Sequence, residues 1–221
     1  MNPYDFVPLD MSRPPERHKP IWHAMLTRQN GPKLYSGHIT VYMQAETPLF
    51  ILDTNTKQDP RALKTHMRDA DGYYIIPGSS LKGLLRTVVE TLCSGCVPIY
   101  RVPKEYTRDP LPHDFAACTN NARLCIACRL FGMMGRRGEG RDGIDVFLGK
   151  INIGDASAFE ESPAFYGSIY TAVLDTPKPR HRAFYLDQEQ RFIAGRKFYF
   201  HHNDEPLTEN RLLEIRNKPG E

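Results

Sequence analysis

Five cysteines, Cys93, Cys96, Cys118, Cys125 and Cys128, fall within 36 consecutive positions of a 221-residue chain. An odd number of closely spaced cysteines is a poor disulfide framework, whereas C-x-x-C pairs around a loop make a thiolate cage for a metal. Zn²⁺ takes four tetrahedral thiolate or imidazole ligands, and here five sulfurs and His113 compete for four places. The Cys125-Ile126-Ala127-Cys128 knuckle, with Cys118 seven positions ahead of it and Cys96 beyond, gives the expected set Cys96, Cys118, Cys125 and Cys128. Cys93 and His113 are its reserves. A closed four-ligand site leaves no position for substrate, so a zinc ion here is structural. The competing reading is a group of buried free cysteines.

The segment 93–128 that carries these thiols has prolines at 98, 103, 110 and 112 and little apolar periodicity, so it reads as a zinc-binding insertion with scant core of its own. Upstream, residues 1–34 are rich in proline and charge, and Arg13-Pro14-Pro15 to Pro20 excludes helix, so this part reads as an extended arm. From Ser36 the pattern changes: Ile39, Val41 and Met43 alternate with polar neighbours, as in a half-buried strand. Tyr73 to Ile76 forms a second expected strand, and further strands are expected at 146–153, 168–174 and 196–202. The clearest helix follows Pro77-Gly78, where Ser79 or Ser80 can cap and Leu81, Leu84, Leu85, Val88, Val89 and Leu92 recur at helical spacing. That stripe is expected to pack on a sheet, and the order of elements suggests an α+β fold.

The start of this helix is a candidate phosphate site. Its first N–H groups carry partial positive charge, and Ser79, Ser80, Lys82 and Arg86 surround them. Two more basic groups are interleaved with aromatics. Arg129, Arg136, Arg137 and Arg141 flank Phe131, and Lys178, Arg180, His181, Arg182, Arg196 and Lys197 accompany Phe184, Tyr185, Phe198 and Tyr199. Cations of this kind contact phosphates while rings stack on unpaired bases, although a solvated charged face is the plain alternative. Net charge is only +3, so it is the distribution that argues for nucleic acid. Asp53, Asp59, Asp69 and Asp71 before the helix could position Mg²⁺ for phosphodiester hydrolysis, or simply form turns. No apolar run reaches the ~18 residues of a membrane helix. The opening residues have no basic-then-apolar leader, so a reducing cytoplasm is the expected compartment.

Ile76-Pro77-Gly78-Ser79-Ser80-Leu81-Lys82-Gly83 to Arg86, with Leu124-Cys125-Ile126-Ala127-Cys128-Arg129-Leu130-Phe131-Gly132, resembles the RAMP superfamily of CRISPR effector complexes. More narrowly, the chain is similar to the zinc-bearing backbone subunits of the type III-D and III-E branches, with counterparts also for 3–7, 174–179 and 195–202. The resemblance implies a ferredoxin-like (RRM-type) palm over 35–221, with the zinc insertion at 93–128 and a thumb hairpin at about 172–195. It implies a guide-RNA (crRNA)-binding backbone subunit for antiviral defence, with complementary target RNA, other RAMP backbone subunits and effector subunits as partners. In cleaving relatives an Asp before the helix cuts target RNA, which makes Asp59 and Asp53 the catalytic candidates, with magnesium only in that case. The family also closes with a glycine-rich loop, a helix and a strand that are not legible before Glu221, so the palm is expected to lack its usual C-terminal part. The rival functions are a metal-dependent endoribonuclease site and a zinc-stabilised protein-interaction module.

Overall fold

Proline at 77 has no N–H to lose and holds an extended backbone (φ −57°, ψ 136°), so a helix can begin immediately after it. In the computed structural model, which describes residues 4–21, 25, 35–53, 64–98, 108–135, 145–159 and 182–199, this helix, α1, runs Gly78–Leu92. Ser79 and Ser80 do not cap it. They lie exposed inside the first turn, and Pro77 occupies the cap position without a side-chain bond. The capping carboxylate comes from far along the chain: the Gly78 N–H donates to Asp155 Oδ1 at 2.7 Å. Gly78 is buried, and a Cβ there would run into the Ile153 carbonyl, so only glycine lets the chain pass.

Both helix and strand occur among the described residues. Strand β1 (Tyr4–Val7) pairs antiparallel with β6 (Arg196–Tyr199), Tyr4 opposite Tyr199. Strand β2 (Ile75–Ile76) pairs with β5 (Ala156–Ser157), and β3 (Gly132–Met134) with β4 (Val146–Leu148). Helices α2 (Ile126–Phe131) and α3 (Arg182–Tyr185) are short. The strands thus form three two-stranded ladders among the described residues, not one palm sheet. The expected strands at 146–153 and 196–202 shorten to β4 and β6, while 168–174 lies outside the described residues. In the part of the expected thumb that is described, α3 leads into a reversal closed by pairing of Leu186 with Ile193.

Two expectations from periodicity are corrected. Residues 35–44 adopt no regular structure, and Ile39 is 90% exposed. An alternating segment becomes a strand only against a partner, and none among the described residues pairs with it. The α1 stripe does not pack on a sheet either: Leu84, Leu85 and Leu92 are exposed. The helix turns Val89 and the buried Glu90 inward, and it contacts α2 instead. The reason is that the core lies where the thiols are. Its cluster consists of Cys96, Cys118, Leu124, Cys125, Ala127, Cys128, Met133 and Phe147, with Val89 against it. Two contacts from residues 13–20 clasp this region. Arg17 Nη2 donates to the Asp114 and Ala116 carbonyls, and His18 exchanges backbone hydrogen bonds with Leu124.

Candidate metal centre

Local geometry brings the sulfurs together. The end of α1 turns back on itself: Ser94 takes a left-handed conformation (φ 47°), and the Gly95 N–H bonds the Glu90 carbonyl at 2.7 Å. That reversal delivers Cys96 to the core and leaves Cys93 exposed. Cys125 stands in extended conformation just before α2 and Cys128 lies in its first turn, so a three-residue offset puts both sulfurs on one side. Gly132 ends α2 with φ 95°, and a Cβ there would sit 2.9 Å from the Phe147 carbonyl. Glycine is therefore required for β3 to leave the helix directly.

The Sγ atoms of Cys96, Cys118, Cys125 and Cys128 all lie within 4.8 Å of one another, and all four residues are buried. Cys96 Sγ is 3.6 Å from Cys128 Sγ and 3.7 Å from Cys125 Sγ. A tetrahedron of thiolates about 2.3 Å from zinc has edges of about 3.8 Å, so the group fits such an ion. The Cys125 N–H donates to Cys118 Sγ at 3.4 Å, as suits a charged sulfur. Four thiols this close cannot share protons equally. Hydrogen bonds from Cys118, Cys128 and Cys96 hold the Cys125 thiol far below its ordinary value, while those with Cys118, Cys125 and Cys96 push Cys128 up. The reserves stay out: Cys93 is exposed, and the His113 ring is fully solvent-facing on a 3₁₀ turn (His113–Phe115).

Around the sulfurs lies a charged shell that sequence reading missed. Glu90, only 6% exposed, receives Arg86 Nε at 2.7 Å on one oxygen and faces Arg196 Nη1 at 3.6 Å on the other. Burial pushes the Glu90 carboxyl up, against the opposing pull of Arg86 and Arg196. Burial also works against the charge of Arg86, but Glu90 and the neighbouring thiols more than offset it. Arg86 goes on to donate to the Gly132 carbonyl at 2.9 Å and to Cys128 Sγ at 3.4 Å. The guanidinium thus points into the centre, where the sequence had placed Arg86 beside phosphate at the helix start. The i,i+4 spacing of Arg86 and Glu90 was the available signal. Asp155 had none, since 77 positions separate it from Gly78.

The other expected site residues are partly described. Ser79 and Ser80 are exposed and Lys82 half-buried on the first turns of α1. Arg129 is half-buried on α2, its Nε buried without a hydrogen-bond partner. Arg136, Arg137, Lys178, Arg180 and the Arg182 side chain lie outside the described residues, as does Asp59. Asp53 is half-buried, its N–H bonded to the Thr65 carbonyl at 3.0 Å. Asp69 Oδ1 accepts from the N–H groups of Asp71 and Tyr73, so that carboxylate forms a turn.

These features define a mixed α/β protein in which the longest helix among the described residues is fastened to four buried cysteines that could hold a metal ion. The sequence model of the RAMP superfamily matches residues 42–215, and the chain belongs to that superfamily. RAMP proteins are CRISPR-associated, working with crRNA and other Cas subunits. No curated protein matches the chain. No helix among the described residues is long and apolar enough to cross a membrane.

Proposed function

We propose that this chain is a guide-RNA-binding backbone subunit of a type III CRISPR RNA-targeting effector, with a structural zinc and no cutting role of its own. The carrying observation is the joint placement of the helix start and the cysteine centre. Ser79 and Ser80 are exposed in the first turn of α1, and the same helix is tied through Arg86 to Cys128. A metal there would hold the helix still while its first turn meets RNA.

On this reading Ser79, Ser80 and Lys82 contact guide phosphates. The basic residues Arg129, Arg136, Arg137, Lys178, Arg180 and Arg182 extend the path along guide and target. Phosphate contacts fix register without reading sequence, as a subunit serving any guide must do. A palm of ferredoxin type, contacts to neighbouring RAMP subunits and a cytoplasmic location belong to the same proposal. Cys96, Cys118, Cys125 and Cys128 would hold the zinc, which supplies folding free energy rather than chemistry. Binding of a short single-stranded RNA to the zinc-loaded full chain tests the proposal. Salt-sensitive binding, lost on chelation, is expected; a zinc-loaded chain indifferent to RNA would leave the protein-interaction reading in its place.

A further inference from the structure

We infer that Arg86 and Arg196, clamped by Glu90, are positioning residues that make the four-cysteine centre a tight site for a divalent, tetrathiolate-bound metal. The inference rests on the metal reading above and goes beyond it to residues that touch no metal.

Four thiolates around a dication carry a net charge of about −2 into a buried core, which is costly unless nearby groups compensate. Two guanidiniums meet that need here. Arg86 donates directly to the Cys128 sulfur at 3.4 Å. Arg196, whose side chain is 9% exposed, donates to the carbonyls of Gly95 and Cys96, the latter at 3.2 Å, and so holds the backbone that carries another ligand. Glu90 lies between them, fixing both forks in place. A buried Arg–Glu–Arg triad is a weak source of stability by itself, since desolvation offsets much of the attraction. Beside an anionic metal centre it has a purpose: the carboxylate orients two cations, and the cations offset the thiolate charge. The same triad joins distant parts of the chain, because Arg196 begins β6 while Arg86 and Glu90 belong to α1. A cavity of about 270 Å³ is lined by Arg86, Cys118, Cys128, Met133 and Met134 among others, so Arg86 shares this space with two of the four cysteines.

The test uses the full chain loaded with zinc or cobalt alone, and compares wild type with Arg86→Gln, Arg86→Lys, Glu90→Gln and Arg196→Gln. Removing a partner of a metal ligand typically costs tenfold to a hundredfold in metal affinity, roughly the loss expected for Arg86→Gln and for Arg196→Gln. Zinc transfer to a colorimetric chelator should accelerate by a similar factor. Arg86→Lys keeps the charge but loses the fork, and should fall between the two. In the cobalt form, Arg86→Gln should shift the thiolate-to-metal charge-transfer bands, because a hydrogen bond to a ligand sulfur is gone. General destabilisation would lower occupancy without moving band positions. If Arg86→Gln does not fold, Arg86→Lys and Glu90→Gln decide by the same readouts. A wild type that holds zinc tightly while all variants show its affinity, release rate and bands overturns this inference alone. A wild type that holds no zinc overturns it together with the metal reading.

Discussion

Arg86 Nη2 lies 3.4 Å from Cys128 Sγ, and through this contact the helix that opens with Pro77-Gly78-Ser79-Ser80 is fastened to the cysteine centre. One arginine thus serves two neighbours. It donates to a buried sulfur and holds the Gly132 carbonyl at the point where α2 gives way to β3. Disturbing either end should be felt at the other.

Metal loss should unfold the region around the thiols. Four of the eight residues in the buried cluster are cysteines, so without the ion that core has little to hold it. Cys125→Ser and Cys128→Ser should lower zinc content and solubility, given that ligation supplies folding free energy of order 10 kcal/mol in small zinc modules. Zinc analysis and circular dichroism check this. Acid should act in the same direction, because ligand sulfurs must be deprotonated to bind, and zinc should leave progressively as pH falls.

Asp155→Ala should cost about 1 kcal/mol, the usual worth of a lost helix cap, read by chemical denaturation. The carboxylate accepts from the Gly78 N–H, and the serines inside the first turn cannot replace it without unwinding the helix start. Gly78→Ala should be worse, since its Cβ would displace the Ile153 backbone.

The four-cysteine cluster and α1 were legible in the sequence because each carries a local signal. The knuckle has fixed spacing, and Pro77-Gly78 followed by leucines at helical intervals marks a helix wherever it occurs. What those elements face was not legible. Leu84 and Leu92 fit a core stripe, yet the side of α1 that is buried carries Arg86 and Glu90, a charged pair whose burial depends on Arg196 over a hundred positions away. Alternation at Ile39, Val41 and Met43 signalled a strand, but a strand needs a neighbour, and the residues are exposed. The pairing of β1 with β6 joins opposite ends of the chain and likewise has no local trace.

Lys82→Ala should weaken RNA binding evenly across sequences. It should also reduce the slope of log affinity against log salt by about 0.7, the value for one phosphate on a single strand. Arg86→Ala should behave differently. Because that guanidinium is engaged with Glu90, Gly132 and Cys128, its loss should first reduce zinc retention and stability, with RNA affinity following. Salt titrations of both variants at equal zinc content separate the two effects.

Asp53→Ala and Asp59→Ala should leave target-RNA cleavage by the assembled effector unchanged. Electrostatic help from a metal is worth several kcal/mol, and each 1.36 kcal/mol is about tenfold in rate, so a catalytic carboxylate would announce itself by orders of magnitude. Loss of one cleavage site with target binding preserved would instead assign the cut to this chain and bring magnesium into its chemistry.

The proposal that this RAMP protein holds guide RNA is tested by recovering the intact chain from its native cells and sequencing the RNA that comes with it. A discrete short RNA bearing repeat-derived and spacer-derived sequence is expected, in amounts comparable to the protein and reduced in the Lys82→Ala variant. Zinc-loaded protein recovered with its partners but with no RNA above background would contradict it.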